Sequence, residues 1–354
     1  MKAPRIVIGA GGTAGHVVPA LAVADALRAE GAEVTFVGGD RAELELVPAA
    51  GYELRTLRVM PLPRGRPLKA ARAALVAAGA VREARRIVKE ARPSAILAGG
   101  GYVAGPVGLA AVMSRVPLVL TEADSHLGLT NRLLAPFARR VCLAFPIEGR
   151  EGSRYVVTGR PVPAPATDWL AARERFGIGL RESCVLVFGG SQGARSINRA
   201  AVEAFAGARF HVLHAAGERD LRDLEDLRAP GQHYDLRGYI SRFGEAILAS
   251  DLVVARAGGS IFEIAAHGKP AVLVPYPYAT ADHQSANARF MESAGAAVVI
   301  PDAELTPARL ANEVGRLLAD RGQLAAMGRA SASVARPDAA RDIAHELLAV
   351  PRKN

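Results

Sequence analysis

The residues with the clearest chemical potential sit where apolar runs give way to glycine. Arg5-Ile-Val-Ile-Gly9 leads into Ala-Gly11-Gly-Thr13-Ala14-Gly15-His16, and Cys184-Val-Leu-Val-Phe188 leads into Gly189-Gly-Ser191-Gln192-Gly-Ala194-Arg195. Each reads as strand, glycine turn, helix. Backbone N–H groups freed by glycine at a helix start, with the Ser191 hydroxyl as a further donor, suit a phosphate or diphosphate; a tight turn needing small residues is the plainer reading. A third junction, Arg256-Ala257-Gly258-Gly-Ser260-Ile-Phe-Glu263, ends in Ser-x-x-Glu. Glu263 there either closes a capping box or accepts from two ribose hydroxyls. Asp282-His-Gln284-Ser-Ala-Asn287 follows a buried-strand pattern and offers amides and a hydroxyl suited to a sugar.

Several classes are disfavoured at once. Gly-x-x-x-x-Gly-Lys-Ser/Thr is absent, which argues against a phosphate-loop NTPase. Without an Asp-x-Asp pair or a His/Cys cluster, no metal and no cofactor are expected. Gly9 to Ala14 fits the loose dinucleotide pattern, but Asp40 is poorly placed as the ribose-binding acid of a nicotinamide dehydrogenase. Cys142 and Cys184 lie in strand-like apolar runs and read as buried, reduced thiols of a cytosolic protein. No secretory segment is expected at the start, and the weakly charged stretch Gly99 to Ser114 is broken by glycines and Pro106, as buried core rather than a membrane span.

The elements that must position these groups follow from length and rhythm. The chain has 354 residues, 50% hydrophobic and 22% charged, which predicts two globular domains. Strand-like and helical runs alternate throughout, as in doubly wound parallel sheets covered on both faces. Gly9 and Gly189 open the two glycine turns about half a chain apart, so two domains of similar plan are expected, 1–160 and 161–336. Gly159-Arg160-Pro-Val-Pro163-Ala-Pro165 is the hinge candidate, and a C-terminal helix within 337–354 is expected to pack back on the first domain. The net charge is +9. Between Tyr52 and Arg92 the excess of Arg and Lys over Glu supplies nearly all of it. Leu62, Leu68, Leu75, Val76, Val81, Ile87 and Val88 are interleaved there with Arg64, Arg66, Lys69 and Arg72. Such a segment attracts a polyanion, nucleic acid or an anionic membrane surface, unless it is an ordinary solvated helix face.

Five motifs in order carry a resemblance: Gly11-Gly-Thr-x-Gly-His16 with Pro19, Gly99-Gly-Gly-Tyr102-Val-x-Gly105-Pro106, Gly128-Leu-Thr-Asn131, Gly189-Gly-Ser-Gln-Gly-Ala194, and Asp282-His-Gln-x-x-Asn287 followed by Ala294-Gly-Ala-Ala297. Together they resemble the MurG family of peptidoglycan glycosyltransferases. The resemblance spans nearly the whole chain. It implies a GT-B fold, two Rossmann-like domains facing a cleft, and inverting, metal-independent transfer of N-acetylglucosamine from UDP-N-acetylglucosamine to the muramyl 4-hydroxyl of undecaprenyl-linked lipid I. The partner surface is then the cytoplasmic face of the bacterial plasma membrane, not nucleic acid, with cell-wall synthesis proteins as candidate partners.

By the same resemblance, Thr13, Gly15, Ser191, Gln192, the backbone at Ile240, Ala257, Gly258, Ser260, Glu263 and Gln284 face the donor, and Tyr102, Asp124 and Asn131 the acceptor. The chain departs from the family at three places. Pro163 stands where an arginine follows Pro-Val, leaving Arg160 as the substitute; Asp124 replaces an amide; and the loop Arg256 to Glu263 is one residue short. His16 and Glu122 compete as the general base. A helix start keeps His16 neutral, whereas a neighbouring Asp124 would raise the basicity of Glu122. A diacylglycerol glycosyltransferase and a non-hydrolysing UDP-N-acetylglucosamine 2-epimerase are the rival readings.

Overall fold

The computed structural model describes residues 3–59, 67–190, 194–227, 233–279 and 282–349, with the backbone alone for 67–75 and 77. Among these residues the chain forms two parallel sheets. The first contains β1 (Arg5–Gly9), β2 (Glu33–Gly38), β3 (Glu53–Thr56), β4 (Ala95–Ala98), β5 (Leu118–Glu122), β6 (Arg140–Leu143) and β7 (Tyr155–Val157), in the order β3-β2-β1-β4-β5-β6-β7. The second contains β8 (Cys184–Phe188), β9 (His211–Ala215), β10 (Tyr234–Arg237), β11 (Leu252–Ala255), β12 (Ala271–Leu273) and β13 (Ala297–Val299), in the order β10-β9-β8-β11-β12-β13.

Both orders reverse beside the strand that opens the sheet. Ligands of such sheets bind beyond the carboxyl ends of the strands flanking that reversal. Those ends are β1 and β4 in the first unit and β8 and β11 in the second, where the glycine-rich segments lie. The chain divides into a first unit of 1–163 and 336–354 and a second of 164–335. The boundary falls inside the proline-rich run.

Strand alternation builds the first core on two faces. Val7, Val37, Ile96 and Leu118 pack with the Pro67–Ala91 and Gly101–Met113 helices, while Ile6, Ile8, Phe36 and Leu97 pack with the Ala14–Ala29 helix. The Ala339–Leu348 helix completes that second face with Ile343, Ala344 and Leu347. Cys142 and Cys184 are buried, and desolvation pushes both thiols up to about 12, so they are inert packing groups.

The Pro67–Ala91 helix requires a correction. Ala80, Ala84, Ile87 and Val88 are buried in the first unit's core, so Ile87 and Val88 are not lipid-facing. An amphipathic period reports that one side is apolar but not what covers it. Arg64 and Arg66 lie outside the described residues, as do the side chains of Lys69 and Arg72.

Candidate active site

In the first unit, two glycine turns are locked against each other. Gly12, Gly100 and Gly101 have φ of +106°, +103° and +73°, which favour glycine. A Cβ at Gly101 would overlap the Gly11 carbonyl oxygen, and one at Gly100 would come within 2.8 Å of His16 Nδ1. Buried Glu43 ties the arrangement together by accepting from Gly12 N–H at 2.8 Å and Gly39 N–H at 2.6 Å. Nothing in the sequence singled it out.

His16 sits in the first turn of the Ala14–Ala29 helix, its N–H donating to the Thr13 carbonyl at 3.0 Å. Burial lowers its pKa below the ordinary histidine value, the Arg160 guanidinium lowers it further, and Asp124 partly opposes them. Arg160 Nη2 donates to the Gly15 carbonyl at 2.6 Å, which fixes that charge beside the loop. The ring is therefore neutral near pH 7, as a base must be.

Glu122 is placed differently. Buried at the end of β5, it accepts from Asp124 N–H at 3.1 Å, Gly128 N–H at 2.8 Å and Asn131 Nδ2 at 2.9 Å. Asn131 Nδ2 also donates to the Thr121 carbonyl at 2.9 Å. What Asp124 presents to Glu122 is its backbone N–H. Both Glu122 oxygens and the Asn131 amide N–H₂ are thus engaged in shaping the 122–131 loop. Tyr102 lies by the other turn: its ring packs near Gly12, its hydroxyl near Gly39, and Arg41 sits 5.6 Å from the ring centroid. Burial, then Glu43 and Asp40, raises its phenol pKa.

In the second unit, a cavity of about 590 Å³ opens beyond the carboxyl ends of the strands, between Gly189, Ala194, Tyr276, Pro277 and Tyr278. Ser191 and Gln192 lie outside the described residues, but both flanks of their loop line the cavity. Three arginines line it: Arg195, Arg219 and Arg256. Arg256 is buried, donating to Asp302 Oδ1 at 2.6 Å, Ser196 Oγ at 2.7 Å and the carbonyls of Val274 and Pro275. The sequence reading gave these arginines no role, although each adjoins a segment it quoted or a strand end.

Gln284 also lines the cavity, its Oε1 accepting from Tyr276 N–H at 2.9 Å, and its Nε2 neighbours Gly258. Asn287 Nδ2 holds the Ala257 carbonyl at 2.9 Å. Ser260 starts the Ile261–Ala266 helix without a side-chain capping bond, so its half of the capping box is not formed; Glu263 lies in the first turn. Ile240 is buried after β10. The fold also gathers Glu182, His211 and His233, far apart in sequence, at the start of β8, β9 and β10, the opposite end from the cavity; Glu182 pairs with His233 at 2.7 Å.

Residues 6–143 match the N-terminal domain of glycosyltransferase family 28, and residues 184–343 match its C-terminal domain. Relatives from Halorhodospira halophila and Halothermothrix orenii are 42% and 35% identical. The first alignment covers 96% of this chain and 96% of the relative, the second 94% and 95%. Both are named UDP-N-acetylglucosamine--N-acetylmuramyl-(pentapeptide) pyrophosphoryl-undecaprenol N-acetylglucosamine transferase. The chain is a family 28 glycosyltransferase of the MurG type. The crystal structure of Acinetobacter baumannii MurG agrees, with a TM-score of 0.78 at 28% identity over 98% of this chain and 100% of that one. The calicheamicin glycosyltransferase CalG4 reaches a TM-score of 0.70 at 19% identity over 99% of this chain and 100% of its own, a likeness of fold.

Proposed function

We propose that this chain transfers N-acetylglucosamine from UDP-N-acetylglucosamine to the 4-hydroxyl of the muramyl sugar of lipid I, with inversion, yielding lipid II and UDP. The near-full-length match to transferases named for this donor and acceptor carries the reading. His16 takes the proton as the hydroxyl attacks the anomeric carbon. Arg195, Arg219 and Arg256, with the loop N–H groups beyond β8 and β11, meet the charge that builds on the leaving diphosphate. Glu263 takes the ribose and Gln284 the sugar hydroxyls.

The purified protein with UDP-N-acetylglucosamine and lipid I is expected to give lipid II, identified by mass. Conversion of the donor into another nucleotide sugar without any lipid acceptor would replace the reading with an epimerase. The donor is also expected to raise the melting temperature in the presence of a chelator. At a hundredfold excess over Kd the gain is about 3 kcal/mol, several degrees. Protection that appears only with added magnesium or manganese would sink the arginine scheme.

The acceptor's tail keeps it in a bilayer, and no described helix is long and apolar enough to cross one. The first unit instead exposes large apolar side chains on neighbouring helices: Leu109 and Met113, and Leu129, Leu133 and Phe137, the last three more than 60% exposed. Met113 also lines a groove of about 780 Å³ with Arg82, Arg85, Arg86, Lys89 and Arg92. Apolar groups entering the headgroup boundary beside cations that meet anionic lipid make a peripheral anchor. Binding to anionic but not neutral vesicles is expected, weakened by high salt as the Debye length falls from about 10 Å at 0.1 M to about 3 Å at 1 M. Changing Leu133 and Phe137 together to Ser should cut it at least tenfold, since each buried side chain contributes roughly 1.5 to 3 kcal/mol. Vesicle binding indifferent to those changes would place the contact elsewhere.

A further inference from the structure

A buried hydrogen-bond chain runs through the second unit and ends at the cavity. His214 on β9 and Asn198 on the Arg195–Ala204 helix are fully buried, and Tyr234 on β10 nearly so. Asn198 Nδ2 faces two acceptors, the Ala216 carbonyl at 2.9 Å and Asp220 Oδ2 at 3.2 Å. Its Oδ1 therefore points the other way, 3.1 Å from His214 Nε2. That fixes the tautomer: His214 Nε2 carries the proton and donates, and Nδ1 accepts from the Tyr234 hydroxyl at 2.8 Å. The chain thus has one direction, Tyr234 to His214 to Asn198 to Asp220. Burial pushes the His214 pKa down to about 3, so the ring stays neutral and the polarity holds at any working pH.

Asp220 has a second set of partners. Its buried carboxylate accepts from Arg219 Nε at 3.0 Å and Nη2 at 3.4 Å, and from Arg195 Nη2 at 3.4 Å. Both arginines are more than half exposed and line the cavity. Two long, like-charged side chains in water would spread apart. A carboxylate shared between them, itself clamped from behind, holds them together and leaves their remaining N–H groups for a ligand.

We propose that Asp220 is a positioning residue for the donor diphosphate, gathering Arg195 and Arg219 at the cavity, with Tyr234, His214 and Asn198 fixing its carboxylate from the sheet side. The proposal rests on the reading of this cavity as the nucleotide-sugar site. The ligand chemistry it implies is a diphosphate, so the effect must scale with phosphate and not with the nucleoside.

The test is calorimetric binding of UDP and of uridine to the wild type and to Asp220→Asn, with steady-state kinetics on UDP-N-acetylglucosamine. Asp220→Asn is expected to weaken UDP about tenfold and leave uridine within about twofold, since what is lost is charge-assisted contact to phosphate. KM for the donor should rise by a similar factor while kcat changes less than about threefold. The exposed pair Arg195→Gln with Arg219→Gln, changed without disturbing the buried chain, should show the same selectivity for UDP. Adding Asp220→Asn to that pair should cost little more. Equal loss of UDP and uridine would make Asp220 a merely structural residue and overturn the proposal, as would unchanged UDP binding in either variant. Wild-type protein that fails to bind UDP would overturn the donor reading itself, and this proposal with it.

Discussion

Alanine in place of His16 should lower turnover by about 10² to 10⁴-fold while leaving affinity for UDP-N-acetylglucosamine nearly unchanged, because help from a general base is felt only in the transition state. The pH profile gives a sharper check. Burial and the Arg160 charge hold the His16 pKa below 6.5, so the acid limb of kcat/KM should have its midpoint below that value, with activity rising as pH increases through it. Arg160→Gln removes one of the lowering influences and should move the limb to higher pH. Glu122→Gln is the matched control. Its three donors make it a loop-shaping group, so its loss should act mainly through stability. A fall in turnover with Glu122→Gln as large as that with His16→Ala, in a variant of normal stability, would move the base to Glu122.

How much of this was legible in the sequence follows from what kind of contact each part rests on. β1, β4, β5, β8, β11 and β12 are covered on both faces, so they read as continuous apolar runs, and the turns after β1, β4 and β8 had to contain glycine. β3, Glu-Leu-Arg-Thr, and β7, Tyr-Val-Val, are short edge strands with half-exposed residues, and no run announces them. The groups that hold the site in shape were hidden for another reason. Arg256 and Asp302 are 46 residues apart, and Asn198, Asp220 and His214 stand in ordinary helix, loop and strand contexts. Their pairing is created by the sheet, and neither periodicity nor local motif reports it. The Pro67–Ala91 helix marks the opposite limit, since the same apolar stripe would serve a core or a bilayer.

Glu43 is the strongest instance of such a hidden group, and Glu43→Ala should be the most damaging single change in the first unit. The carboxylate is fully buried and accepts two backbone N–H groups, Gly12 of the turn before His16 and Gly39 of the turn after β2. Alanine would leave both donors buried without a partner and a void where the side chain packs against Gly11 and Gly38. An orphaned donor costs about 1 to 3 kcal/mol and the lost charge-assisted bonds add to it, so a loss of roughly 3 to 5 kcal/mol is expected. Against a total of about 5 to 15 kcal/mol, that should lower the unit's melting temperature by about 10 °C. Glutamine keeps one acceptor oxygen but turns an amide N–H₂ toward the other donor, so it should recover only part of the loss. Because Gly12 belongs to the turn that packs His16 against Gly100 and Gly101, turnover should fall in both variants even at temperatures where they remain folded. An unchanged melting temperature in Glu43→Ala would show that the bridge does not hold the two turns together. A large loss of stability with full turnover would show that it holds them without setting the position of His16.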